Sequence, residues 1–278
     1  MRRCNIHFIQ AGFCRHCEAM TRRGGQWQPA IFPALAGLIL HQSGPVLFDT
    51  GYDPAFFTAT EPFPQRLYRW LTPPEITPHT IVSAQLAYYN LRPDDIRCVI
   101  ISHFHADHIA GLGQFPHARL ICSRRGLQSA RQGHAWAALR RGVLRALIPP
   151  DFDQRAAFFE DFAQAKLPKE LAPFTDAVDV FGDGAILAVP LAGHADGQFG
   201  LVLRGQSGQL NFLAADAAWS SRAIRENSPP PRLTTALLGG TKPYRTTLGQ
   251  LHHLQRCNPD ILITPSHCHE RALEEAGR

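Results

Sequence analysis

Short apolar runs in this chain stop repeatedly on a histidine or an aspartate, and that pattern restricts the fold more than any bulk property. "PVLFDTG" reaches Asp49, "AILAVPLAGH" reaches His194, "LNFLAAD" reaches Asp216 and "DILITPSH" reaches His267. A fifth run leads into "SHFHADHIAGL", which packs His103, His105, Asp107 and His108 into six residues. Apolar runs of this length, bounded by turn formers, read as strands. Strands are expected at 5–10, 35–41, 46–48, 98–101, 118–122, 185–189, 199–203, 210–214 and 260–264, with "HQSGP" as a hairpin turn. Segments 81–90 and 247–257 place apolar residues three and four apart, the helical spacing. Strands interleaved with helices give an α/β class. On such scaffolds, ligands and reactive groups collect where strands end in loops.

One stretch departs from this alternation. Residues 128–174 are rich in Ala, Arg, Phe and Leu, are broken by "IPPDF", and read as two or three helices. The expectation is one domain over 1–278 with a helical insertion at 128–174 that either overhangs a site or forms a plain surface layer. An apolar fraction of 45% against 18% charged residues describes a chain that folds. The net charge is +5, and the arginines are scattered in pairs such as Arg124-Arg125 and Arg140-Arg141. That pattern reads as solvated helix surface and argues against a nucleic-acid face. No apolar stretch approaches the roughly 20 residues that span a bilayer. "MRRCNIHFIQAGFCRHC" lacks the long apolar segment of a secretory signal, so a cytoplasmic protein is expected. Seven dispersed cysteines argue against a disulfide framework. Cys14 and Cys17 form a C-x-x-C without a second ligand pair nearby, and reduced thiols are expected.

The H-x-H-x-D-H run has metal-ligand spacing. In an extended segment alternate side chains point the same way, so His103 and His105 converge on one ion. Asp107 and His108 follow a bend and face a second. Imidazole and carboxylate suit Zn²⁺, and also Fe, Mn or Co.

Together, "VLFDTG", "SHFHADHIAGL", "LAGHADG", "FLAAD" and "ITPSH" resemble the metallo-β-lactamase superfamily over nearly the whole chain. The resemblance implies an αβ/βα four-layer sandwich with the site at one edge. It implies two divalent ions: one held by His103, His105 and His194, the other by Asp107, His108 and His267. Asp216 would bridge both, and Asp49 would orient a liganding histidine. Two such ions about 3.5–4 Å apart lower the pKa of water enough to make it a nucleophile near neutral pH. The crowding of costly side chains then has a purpose.

Within the superfamily, penicillin-cleaving members place a cysteine where this chain has Asp216. Glyoxalase II-like thioesterases share the seven ligands, and phosphodiester-cleaving members share the "HxHxDHxxGL" text. Size and motif arrangement look most like the quorum-quenching N-acyl homoserine lactonases. Those enzymes have a tyrosine shortly after the bridging Asp, where "DAAWSS" has Trp219. The reading is a hydrolase of a carboxylic ester or lactone, with Asp107 or Asp216 passing a proton to the leaving group. Trp219, Phe152, Phe158 and Phe159 are candidates to line the pocket of a small-molecule substrate. Thioester or phosphodiester hydrolysis is the alternative, and a non-catalytic metabolite-binding regulator is the competing class. Oligomeric state is left open.

Overall fold

The computed structural model describes residues 1–237 and 239–277. Two sheets lie face to face. The first has seven strands in the order β4-β1-β2-β3-β5-β6-β7: β1 (Asn5–Cys17), β2 (Pro29–His41), β3 (Gly44–Phe48), β4 (Pro74–Glu75), β5 (Cys98–Ile100), β6 (Arg119–Cys122) and β7 (Ala156–Phe158). The second has six in the order β13-β12-β11-β10-β9-β8: β8 (Gln164–Lys166), β9 (Asp176–Asp179), β10 (Ile186–Pro190), β11 (Phe199–Arg204), β12 (Leu210–Ala215) and β13 (Leu262–Pro265).

The strands read as continuous apolar runs because most are covered on both faces. Ile39, Phe48, Ile100, Ala188, Leu201 and Leu213 fill the space between the sheets. Their strand neighbours point outward, to helices. Leu38, Leu47 and Val99 meet Phe56, Leu86, Ile109 and Leu127. Leu187, Val189 and Val202 meet Leu248, Leu251 and Leu254 of the helix Thr241–Cys257. Alternation within each strand thus produces helix, sheet, sheet, helix: the expected four-layer αβ/βα sandwich.

Each expected strand is present, and two are much longer than the apolar pattern implied. β1 and β2 run 13 residues each and pair along almost their full length, with a register shift between Gln10 and Phe13. Gly12 sits at that shift with φ +73, and a Cβ there would meet the Glu75 carbonyl oxygen at 2.8 Å. A glycine bulge lets β1 bend and continue past the point where its apolar pattern stops. The "HQSGP" turn joins β2 to β3, as expected, with His41 opposite Gly44.

The segment at 128–174 differs from its expected all-helical form. Helices occupy Arg124–Arg131, Ala135–Arg140 and Phe152–Arg155. Beyond them, Ala156–Phe158 adds an edge strand to the first sheet and Gln164–Lys166 one to the second. Three-residue strands carry no readable period, so Ala and Phe there looked helical. Among the described residues no helix is long and apolar enough to cross a membrane.

Candidate metal centre

β3, β5 and β6 are parallel, and so are β12 and β13, which brings several carboxyl ends to one edge of the sandwich. Asp49 follows β3, His103 and His105 follow β5, and Asp107 and His108 open the helix Ala106–Ile109. His194 lies beyond β10, Asp216 follows β12, and His267 follows β13. Asp49 and Ala215 both have positive φ, +63° and +46°. For non-glycine residues this is a strained conformation that clusters at functional sites. The register shift between Leu213 and Ala215 turns the chain so that Asp216 faces inward.

Seven side chains converge. Ligand-capable atoms of His103, His105, His194 and Asp216 lie within 4.8 Å of one another, as do those of Asp107, His108 and His267. Asp216 stands between the two groups. Its Oδ2 is 3.2 Å from Nε2 of both His194 and His267, and its Oδ1 is 3.4 Å from His108 Nε2. All seven are buried.

The outward-facing nitrogens show how the rings are aimed. His108 Nδ1 lies 2.8 Å from Asp49 Oδ2, and His267 Nδ1 lies 2.8 Å from the Pro33 carbonyl oxygen. His103 Nδ1 lies 2.9 Å from Ser102 Oγ. These three rings therefore present Nε2 to the centre. His105 is reversed: its Nδ1 lies 2.9 Å from His194 Nε2. A ring nitrogen anchored in this way fixes the tautomer and the aim of the other nitrogen. His103 Nε2, His108 Nε2 and Asp216 Oδ1 are buried without an aligned hydrogen-bond partner. Buried polar atoms left so are costly, unless a cation takes their lone pairs. The donor set fits a pair of divalent ions.

The carboxylates divide the histidines of the cluster. Burial, then the neighbouring histidines, hold His103 and His105 well below the usual imidazole range, so both rings are neutral. Burial pushes Asp216 up, but the charges of His267, His108 and His194 outweigh it and hold the carboxyl well below its ordinary value. Burial likewise pushes His267 down, yet the Asp216 and Asp107 carboxylates raise it to about 9.

Residues that the motifs did not announce complete the frame. Ser102 donates its backbone N–H to Asp49 Oδ1 at 2.8 Å and its hydroxyl to Asp49 Oδ2 at 2.7 Å. Thr50 donates backbone N–H and hydroxyl to the His108 carbonyl oxygen at 2.8 and 2.9 Å. "FDTG" is thus a clamp on the histidine motif. Tyr68, from the helix Arg66–Leu71, is held protonated by burial and then by the Asp107 carboxylate. Their signal was adjacency at most: Ser102 precedes His103, and Thr50 follows Asp49.

Trp219 reaches the centre, with its ring 5.6 Å from that of His267 and 6.3 Å from that of His194. Its Nε1 is buried with no partner. The three phenylalanines do not reach it. Phe152 is fully buried against Phe104, and Phe159 is fully buried and stacked on Phe199 between the sheets. Phe158 lies under the Arg124 guanidinium, 4.1 Å from its ring centre. The expected channel lining at 152, 158 and 159 is corrected: these residues belong to the core and to an edge strand. Cys14 and Cys17 lie three apart on β1 and so on opposite faces. Cys14 is buried, and burial followed by the Asp107 carboxylate pushes its thiol to about 12. The cysteines are free thiols in the structure.

With this geometry in hand, residues 30–267 match the model of the metallo-beta-lactamase superfamily. The chain belongs to this superfamily. Among curated members, it is 30% identical over 155 residues to N-acyl homoserine lactonase AttM of Azorhizobium caulinodans, covering 55% of this chain and 53% of that protein. The matched chain spans about half the length of that relative. Among solved structures, a variant of AiiA from B. thuringiensis with N-decanoyl-L-homoserine at its active site superposes with a TM-score of 0.74 at 17% identity, covering 99% and 97% of the two chains. AidC, described as a dizinc quorum-quenching lactonase, gives 0.65 at 13% identity, covering 96% and 88%. At these identities the structural likeness establishes the fold.

Proposed function

We propose that this superfamily member is a dinuclear metal-dependent hydrolase of a carboxylic ester or lactone, with an N-acyl homoserine lactone as the favoured substrate. The observation that carries the reading is the convergence of two ligand groups on a shared Asp216, with the inward-facing Nε2 atoms of His103 and His108 buried without a hydrogen-bond partner. His103, His105 and His194 would hold one ion, and Asp107, His108 and His267 the other, with Asp216 between. Zinc suits the donors, as do Fe, Mn and Co. Bound there, the ions supply Lewis acidity and a water of lowered pKa.

The chain's own groups do the rest. Asp49 and Pro33 hold the histidine tautomers. Asp107 and Asp216, whose oxygens lie 3.4 and 3.2 Å from His267 Nε2, are the carboxylates placed to carry a proton to the departing alkoxide. Trp219 Nε1–H is a buried donor in need of an acceptor, and a substrate carbonyl or amide oxygen fills that need. The indole sits where lactonases have tyrosine. It cannot act as an acid, which favours binding over proton transfer.

Supporting the lactone choice, relatives and structural neighbours carry lactonase names. A panel of lactones, a glutathione-type thioester and bis-p-nitrophenyl phosphate, run on metal-loaded protein, tests the reading. Opening of a lactone ahead of the other two is expected. Preference for the thioester or the phosphodiester moves the protein to that branch, and inertness to all three with metals bound makes it a binder.

A further inference from the structure

His105 differs from the other histidines of the centre in what stands behind it. Its Nδ1 faces His194, so its Nε2 edge is turned outward, toward the backbone of the Arg141–Gly142 turn. Gly142 comes next. A Cβ built there would lie 2.8 Å from His105 Cδ2, 3.0 Å from Nε2 and 3.3 Å from Cγ. The ring is therefore in van der Waals contact with bare backbone, and no side chain fits between.

That backbone is held in turn. Val143 N–H donates to the Ala138 carbonyl and Gly142 N–H to that of Leu139, closing the helix Ala135–Arg140 on a glycine with φ +70. Arg141 Nη2 donates to the carbonyls of Ser129 and Gln132 at 3.0 and 2.6 Å, tying the turn to the helix Arg124–Arg131. The same helix grips the loop of His194. Arg125 Nη2 and Ser129 Oγ donate to the two oxygens of Asp196 at 2.7 and 2.8 Å. The remaining group is backed elsewhere, His108 by Asp49 and His267 by the Pro33 carbonyl.

We propose that the Arg141–Gly142 turn is a positioning element for His105, so that the segment 124–143 sets the geometry of one half of the centre and leaves the other half alone. This rests on the dinuclear reading above. Gly142 serves two ends at once: it caps a helix in the left-handed conformation, and it leaves the space that the imidazole occupies. Coupling between segment and ion runs both ways by linkage, so an ion on the His103–His105–His194 side protects the backbone of 124–143.

The test is stepwise Co²⁺ binding by Gly142→Ala, measured against a competing chromophoric chelator, with the visible d–d spectrum recorded at each equivalent. Gly182→Ala is the control: its φ is +72 but nothing lies within 4 Å of the added Cβ, so it carries the backbone strain without the contact. Wild type and Gly182→Ala are expected to bind two equivalents with matching spectra. In Gly142→Ala one equivalent weakens about 10- to 100-fold, the range for lost outer support of a ligand, with a changed spectrum, while the other is retained. Two equivalents bound by Gly142→Ala as in wild type overturn the proposal and leave the dinuclear reading standing. Equal weakening of both equivalents, or equal weakening in Gly182→Ala, also overturns it. Failure of the wild type to take up two equivalents overturns the dinuclear reading and this inference with it.

Discussion

Asp49 is not among the seven converging residues, yet its carboxylate accepts from Ser102 N–H, from Ser102 Oγ–H and from His108 Nδ1–H. Replacing it with Asn removes an acceptor and sets an N–H against other donors. Asp49→Asn is expected to lower metal affinity about 10- to 100-fold, read by chelator competition, without loss of the fold by circular dichroism. His105→Ala and Asp216→Ala remove groups from inside the centre. Turnover should fall to background in both, with metal content below two per chain by elemental analysis. Wild-type activity with full metal content in either variant refutes the proposed assignment. Trp219→Phe keeps the ring and deletes Nε1–H. A drop of about 10-fold in kcat/KM, carried mainly by KM, is the expected loss of one buried hydrogen bond to substrate.

Single elements show where pattern reading works and where it stops. The helix Thr241–Cys257 was legible only from 247 onward, because Leu248, Leu251 and Leu254 recur at helical spacing, and all three are fully buried against the second sheet. Leu251→Ala is expected to cost about 2–5 kcal/mol in a urea or thermal unfolding experiment, the price of a cavity at a fully packed position. The stretch around Phe158 and Phe159 was misread because consecutive phenylalanines fit either a helix face or a short strand. Edge pairing with β6 and stacking on Phe199 decided it, and both partners are distant in sequence. The extension of β1 to Cys17 was likewise unreadable. It depends on the Gly12 bulge and on pairing with β2, which local alternation does not encode.

At the scale of the molecule, the centre is a joint between two sheets. His103, His105, Asp107 and His108 come from the first, and His194, Asp216 and His267 from the second. Ions that bind across the joint bind the folded chain and not the unfolded one. At a free-ion level a hundredfold above Kd this adds about 2.7 kcal/mol. At about 2–4 °C per kcal/mol for chains of this class, chelation should lower Tm by roughly 5–10 °C in a calorimetric scan, and zinc should restore it. An unchanged Tm on chelation means that the ions do not stabilise the closed sandwich.

The sequence by itself determined the α/β class, the strands that end on ligands and the identity of the seven converging side chains. The first two rest on local pattern, apolar runs bounded by turn formers and three-to-four spacing in helices, and the set of seven rests on the H-x-H-x-D-H motif together with the family resemblance of the motifs around it. Only the tertiary structure decided that Asp49 clamps His108, that Trp219 and not Phe152, Phe158 or Phe159 faces the centre, and that Arg141 and Gly142 back His105. These outcomes depend on which loops meet when the sheets close. Such contacts join residues far apart in the chain, and their energy exists only once the intervening segments have folded around them.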